Sequence, residues 1–187
     1  MKKIFSSIML IMLLFAANAV QAQEATERKL TREEKKAMQE KLDSLLFLEA
    51  KQALDNRQFT LEADQVVFKY GQTAYVNSNT NFVSVNGEDA VVQVAFNTPV
   101  SGPNGLGGVT VDGKVSSYEV KADKRGNLRL SMNVMGTGIS ARVDIELTAG
   151  SNSASVTILP NFNSNRLTLN GVLLPLHKSA VFKGRSF

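Results

Sequence analysis

His177 is the one histidine of the chain, and Ser179 stands two residues after it. A serine beside an imidazole suggests a nucleophile and its base, the chemistry of acyl transfer. That chemistry also needs an acid to orient the ring and donors for an oxyanion. The surrounding residues, Pro175-Leu-His-Lys-Ser179, supply neither. Cysteine is absent, which excludes thiol nucleophiles, disulfides and lipid attachment through an N-terminal cysteine. A zinc site would have one imidazole and otherwise only carboxylates to draw on. Asp64, Asp89, Asp112, Asp123 and Asp144 are scattered, without the spacing of a calcium loop. Glu62 and Asp64 share a strand face and read as solvated. The Gly-rich segment from Gly102 to Gly108 lacks the Lys and Ser/Thr of a phosphate-binding loop, and no helix pattern follows it. These absences predict no catalytic residue, no metal and no cofactor, and a protein that is not an enzyme.

Binding chemistry has more to work with. The loops from Asn77 to Asn81 and from Asn161 to Asn165 are rich in carboxamides. Those amides suit tight turns, and they also offer paired donors and acceptors to a sugar or peptide. Tyr75, Phe82 and Phe162 lie beside these loops, and Asn104 sits among the glycines of the longest irregular segment. Tyr118 alternates onto the expected inner face, and Met132 offers adaptable packing around an apolar guest. Tyr75, Phe82, Asn104, Tyr118, Met132 and Phe162 are therefore the candidate ligand contacts.

The elements that must position these residues are mostly strands. From Ile139 to Leu147 apolar and polar side chains alternate without a break. Only a β-strand, with period two, sorts Ile139, Ala141, Val143, Ile145 and Leu147 onto one face and Arg142, Asp144 and Glu146 onto the other. The same alternation recurs from Phe59 onward, with Gly- and Asn-rich turns between runs. Asn86-Gly87 marks one hairpin, Asp112-Gly113 a second, and Asp123 to Asn127 a third turn. Asn170-Gly171 marks a bulge or turn in the last long strand, expected from Arg166 to Leu174. About eight or nine strands joined by short connections form a meander, because neighbours in sequence become neighbours in space. A meander with one dry face curls into an up-and-down antiparallel barrel or folds into a β-sandwich. The absence of long crossovers favours the barrel.

Ahead of the strands, Thr31-Arg-Glu-Glu34 has the form of a capping box. An amphipathic helix is expected from there to about Asn56, with Met38, Leu42, Leu45, Leu46, Glu49 and Ala53 at three- and four-residue steps, widened by Phe47 and Leu48. Its expected role is to pack on the β domain as a cap. Before it, Gln23 to Leu30 reads as a polar leader. Lys2 and Lys3, the apolar block from Ile4 to Ala17, and small residues at Ala17, Ala19 and Ala22 have the build of an export signal. The block is shorter than the roughly 20 residues that span a bilayer, so cleavage after Ala22, or after Ala19, is expected, with no membrane span left afterwards. The expected organisation is a signal peptide over 1–22, leader and helix over 23–57, and an antiparallel β domain over 58–187. The expected location is the periplasm or the extracellular space. Net charge is +4, of which Lys2 and Lys3 contribute two. With no basic cluster and no Trp, nucleic acid is not an expected partner.

Several longer runs are distinctive: Phe59-Thr-Leu-Glu-Ala-Asp64, Tyr75-Val-Asn-Ser-Asn-Thr-Asn-Phe82, Gly102-Pro-Asn-Gly-Leu-Gly-Gly108, Ser131-Met-Asn-Val-Met-Gly-Thr-Gly138, Pro160-Asn-Phe-Asn-Ser-Asn-Arg166 and Phe182-Lys-Gly-Arg-Ser-Phe187. Over residues 58 to 187 the chain resembles a family of secreted bacterial proteins, domain of unknown function 4251, found mostly in gut Bacteroides-type bacteria. The resemblance implies export and a lipocalin-like β fold. It implies no activity and lends no functional residues. The expected function is that of an exported, non-enzymatic barrel binding a small apolar ligand. The alternative is an envelope interaction or structural module with a filled core.

Overall fold

The computed structural model describes residues 30–95, 108–137, 140–161 and 166–186. The segment 1–22, Asn104 and Phe162 lie outside them. The chain divides into two units, 1–39 and 40–187. In the first, the capping box forms as its sequence predicts. The Thr31 amide donates to Glu34 Oε2 at 2.8 Å, and the Glu34 amide donates to Thr31 Oγ1 at 3.2 Å. These bonds open helix α1, Arg32–Asp55.

The second unit holds nine strands in one antiparallel sheet. They are β1 (Gln58–Phe68), β2 (Thr73–Tyr75), β3 (Phe82–Asn86), β4 (Asp89–Ala95), β5 (Gly108–Ala122), β6 (Leu128–Gly136), β7 (Ser140–Leu147), β8 (Ser153–Pro160) and β9 (Leu167–Pro175). From β3 to β9 each strand pairs with the next, and β9 pairs back onto β1 from Phe59↔Pro175 to Phe68↔Leu167. That last ladder closes the sheet, so the fold is the barrel and not the sandwich. Eight strands, β1 and β3 to β9, make the closed wall. The short β2 pairs with Gln65 to Val67 of β1, while β3 pairs with Gln58 to Glu62. The two are one return strand interrupted by residues 76–81. At the break the Val76 amide donates to the Asp64 carbonyl and the Ala63 amide to the Asn81 carbonyl.

Two bulges keep the oily face inward. In β1 the register shifts between Ala63 and Gln65, so the inner set passes from Phe59, Leu61 and Ala63 to Val66 and Phe68. In β5 it shifts between Ser116 and Glu119, with Ser117 at φ 55°. Simple alternation from Val115 would aim Ser117 inward and Tyr118 outward. The extra residue reverses that parity, and Tyr118 and Val120 pack on the core as expected.

The turn expected at Asp112-Gly113 is corrected. β5 runs straight through it, with Gly113 opposite Ala90 of β4 and Gly136 of β6. A Cβ on Gly113 would lie 2.7 Å from Val134 Cγ1 and 2.9 Å from the Met135 carbonyl. Glycine is there because β6 approaches closely, not because the chain reverses.

The face assigned to α1 is also corrected. Ala50, Ala53 and Leu54 are the helix residues buried in the core, whereas Met38, Leu42, Leu45 and Leu48 stay exposed. The helix caps the barrel through its C-terminal part, from Phe47, which packs on the core half-buried, to Leu54. Tyr118 fastens it: its hydroxyl donates to the Leu54 carbonyl at 2.6 Å, and Arg57 lies 4.6 Å over its ring. Burial pushes the Tyr118 phenol well above its ordinary value, against the pull of Arg57, so it remains a donor. Tyr118→Phe deletes one half-buried bond and leaves the Leu54 carbonyl with the Arg57 amide, 3.0 Å away, as its donor. A loss of about 1–2 kcal/mol is expected, read as a Tm lower by roughly 3–6 °C. An unchanged Tm would show that the cap holds without it.

Candidate functional site

Beside that helix end is a cleft of about 550 Å³, within the size range of small-ligand sites. Three stretches far apart in sequence build it. α1 supplies Glu49, Gln52 and Ala53, with Asn56 just beyond its end. β1 and β3 supply Gln58 and Asn86, which stand directly opposite each other in the ladder. The end of β9 and the 3-10 turn Leu176–Lys178 supply the far wall, Pro175 to Lys178. The β1–β9 closure sets this geometry, because Phe59↔Pro175 brings the end of β9 beside the start of β1.

Lys178 Nζ donates to both Glu49 oxygens, at 2.8 and 2.7 Å, and ties the far wall to the helix. The pair is roughly half exposed, so it contributes under about 1 kcal/mol and opens easily. The side chains of Gln52, Asn56, Gln58, Asn86 and His177 make no hydrogen bond within the described residues. The cleft is thus electrically balanced and rich in unspent donors and acceptors.

His177 lines this cleft, but Ser179 does not join it as a nucleophile. The Ser179 hydroxyl donates to Glu62 Oε1 at 2.7 Å, so Glu62 is a partner in a tether and not the solvated carboxylate its strand position suggests. Among the described residues no group of His, Asp and Glu has the arrangement of a metal site, and no helix is long and apolar enough to cross a membrane.

The four expected ligand contacts among the described residues form no common site. Tyr75 is 84% exposed on β2, whereas Phe82 and Met132 are buried in the core. Tyr118 is spent on the helix. In the Asn77–Asn81 loop, Asn77 and Asn81 spend their side chains on the turn itself and, through Asn81 Oδ1, on the Ala95 amide of β4 at 2.8 Å. Asn77 Oδ1 accepts from the Asn79 amide at 3.0 Å, and Asn81 Nδ2 donates to the Asn77 carbonyl at 2.9 Å.

The strand motif around Gln93 belongs to a second polar cluster, again unanticipated. Gln93 faces away from the barrel interior yet is wholly buried, because the C-terminal tail crosses over it. Its Nε2 donates to the carbonyls of Thr80 and Phe182 at 3.0 and 2.8 Å. Its Oε1 accepts from Thr110 Oγ1 at 2.8 Å and the Gly184 amide at 2.7 Å. Nearby, Lys183 pairs with Asp112 at 2.6 Å. Burial alone would raise the Asp112 carboxyl, but the bonds from Lys183 and Ser186 outweigh it and hold it below its ordinary value. This cluster is a fastening and leaves no polar group free.

A family model described as "Domain of unknown function (DUF4251)" matches residues 41–173, most of the chain. The chain belongs to the DUF4251 family. A crystal structure of a DUF4251 family protein from Bacteroides eggerthii is 56% identical, with a TM-score of 0.68, and the match covers 79% of this chain and 99% of that one. No curated protein matches. The DUF4251 match takes in the helix end and β1 to most of β9, hence Glu49, Gln52, Asn56, Gln58 and Asn86 of the cleft. It stops before Pro175, so the DUF4251 model leaves out the cleft's far wall and the tail that covers Gln93.

Proposed function

We propose that this DUF4251 protein is an exported, non-enzymatic binding module that engages its partner at the surface cleft and not inside the barrel. The observation that carries this reading is the state of the interior. Leu61, Leu169 and Leu173 are 0% exposed, Leu130, Met132 and Val134 1%, and Ile145 2%. A side chain that lines a void large enough for water keeps accessible surface. These keep essentially none, as in a close-packed core. Carriage of a small apolar ligand inside would need Met132 and its neighbours to part. The cleft already offers room and unspent hydrogen bonds. Export rests on the basic start, apolar block and small-residue cut sites of residues 1–22. The non-enzymatic part rests on Ser179, whose hydroxyl donates to Glu62 and not to His177.

Native mass spectrometry of the protein purified from its own envelope or culture medium tests both parts. The expected mass begins at Gln23 or Val20 and carries no lipid, and an apolar dye should stay dark. A stoichiometric lipid released on denaturation would overturn the filled-core reading. A full-length chain confined to the cytosol would overturn export.

A further inference from the structure

We propose that the cleft is a docking groove for an extended, uncharged peptide segment, which its carboxamide side chains read through the peptide's own backbone. This rests on the reading that the cleft is the binding surface, and adds the class of ligand.

Gln52 and Asn56 are one helical turn apart, and the Asn56 amide still donates to the Gln52 carbonyl at 2.9 Å, so helical geometry persists to that point. Four residues of helix rise about 6 Å. An extended chain presents the peptide groups of one edge every two residues, about 6.8 Å apart. Two carboxamides at the first spacing can therefore meet two successive groups at the second. Each carboxamide has an acceptor and two donors, the complement of a peptide C=O and N–H. On the other wall Gln58 and Asn86 form a second carboxamide pair, opposed across the β1–β3 ladder. Directly opposed Cβ atoms lie about 4.5–5.5 Å apart, so the two can act on one peptide group together. Ala53, Pro175 and Leu176 give an apolar floor for a small side chain.

The remaining features narrow the class. Glu49 and Lys178 satisfy each other, so the groove holds no unpaired charge for a phosphate or carboxylate. No Phe, Tyr or Trp lines it, so a sugar ring finds only the small imidazole of His177 to stack on.

The test is NMR on the whole protein with a pool of end-blocked hexapeptides randomised over Ala, Ser, Thr, Val and Asn. The side-chain NH₂ signals of Gln52, Asn56, Gln58 and Asn86 should move. The double variant Gln52→Ala/Asn56→Ala, at two exposed positions, should keep its Tm and bind the pool at least about tenfold more weakly, as expected for two lost hydrogen bonds. Peptides that move no cleft signal, or binding that survives the double variant, overturn the proposal. If neutral oligosaccharides move those amides and the peptides do not, the cleft reading stands and the peptide class falls. If a fatty acid moves the Met132 and Leu130 methyls instead, the reading beneath it falls as well.

Discussion

Giving Gly171 a side chain is expected to unfasten the barrel. Gly171 stands in β9 between Ala63 of β1 and Ala154 of β8, so both of its edges are paired. A Cβ built there would overlap the carbonyl oxygen of Glu62 and lie 2.7 Å from Ala63 Cα. All the atoms it meets are backbone. The end of a flexible side chain can swing aside, but a strand held on both flanks cannot. The overlap also falls where β1 carries its bulge, between Ala63 and Gln65. The molecule can make room only by parting the β1–β9 seam, the ladder that turns a sheet into a barrel. Overpacking inside a core costs about 1–3 kcal/mol. Because rotamer changes give no relief here, Gly171→Ala should cost about 3 kcal/mol or more, lowering Tm by roughly 10 °C. Gly113→Ala is the comparison. There the Cβ would meet a valine methyl at 2.7 Å and the Met135 carbonyl at 2.9 Å, a shallower overlap than at Gly171, so it should lose less. Urea denaturation of the two variants checks the order. Equal losses would mean that the seam yields as easily as an ordinary core contact.

That seam was only partly legible beforehand. Alternation from Ser140 to Leu147 identifies a strand because each residue there obeys one rule, one face wet and one dry. Closure follows from counting such strands and noting the short turns between them. Glycine is where the reading fails, since it serves two unrelated purposes. Asn86-Gly87 turns the chain, whereas Asp112-Gly113 lets another strand come close. Nothing local separates the two, because the deciding atoms belong to Val134 and Met135, on the next strand. The helix misleads in a related way. Its leucines at three- and four-residue steps describe a helix face correctly, but Ala50, Ala53 and Leu54 are the residues on the core. Only the C-terminal part, from Phe47 on, meets the barrel, and the small residues Ala50 and Ala53 there permit close approach. The cleft had no signature at all. Gln52, Asn56, Gln58 and Asn86 are ordinary exposed amides in sequence, and only the closure of β9 onto β1 gathers them.

Gln93 was invisible for the opposite reason, and its replacement is the second large effect expected. On a strand with one wet face, a glutamine among valines reads as solvated. In the folded protein the tail buries it, and its carboxamide binds four groups on three segments: Thr80, Thr110, and the tail at Phe182 and Gly184. Gln93→Leu keeps the volume and deletes all four bonds. Leaving a buried polar group unpaired costs about 1–3 kcal/mol each, so a tail that stayed docked would bear several such losses together. Releasing the tail is cheaper, because water then satisfies the freed groups. The cost is thereby limited to the docking energy of the tail, expected to be about 2–4 kcal/mol. Two consequences distinguish release from general loosening. Amide exchange at Phe182 and Gly184 should rise towards free-chain rates while β6 to β8 keep their protection. Deleting residues 182–187 should cost about as much as Gln93→Leu, and combining the two should cost little more, since both remove the same interaction. Additive losses, or a protected Gly184 amide in Gln93→Leu, would mean that Gln93 holds the β3–β4–β5 corner by itself. The tail would then be a passenger on a barrel that is complete without it.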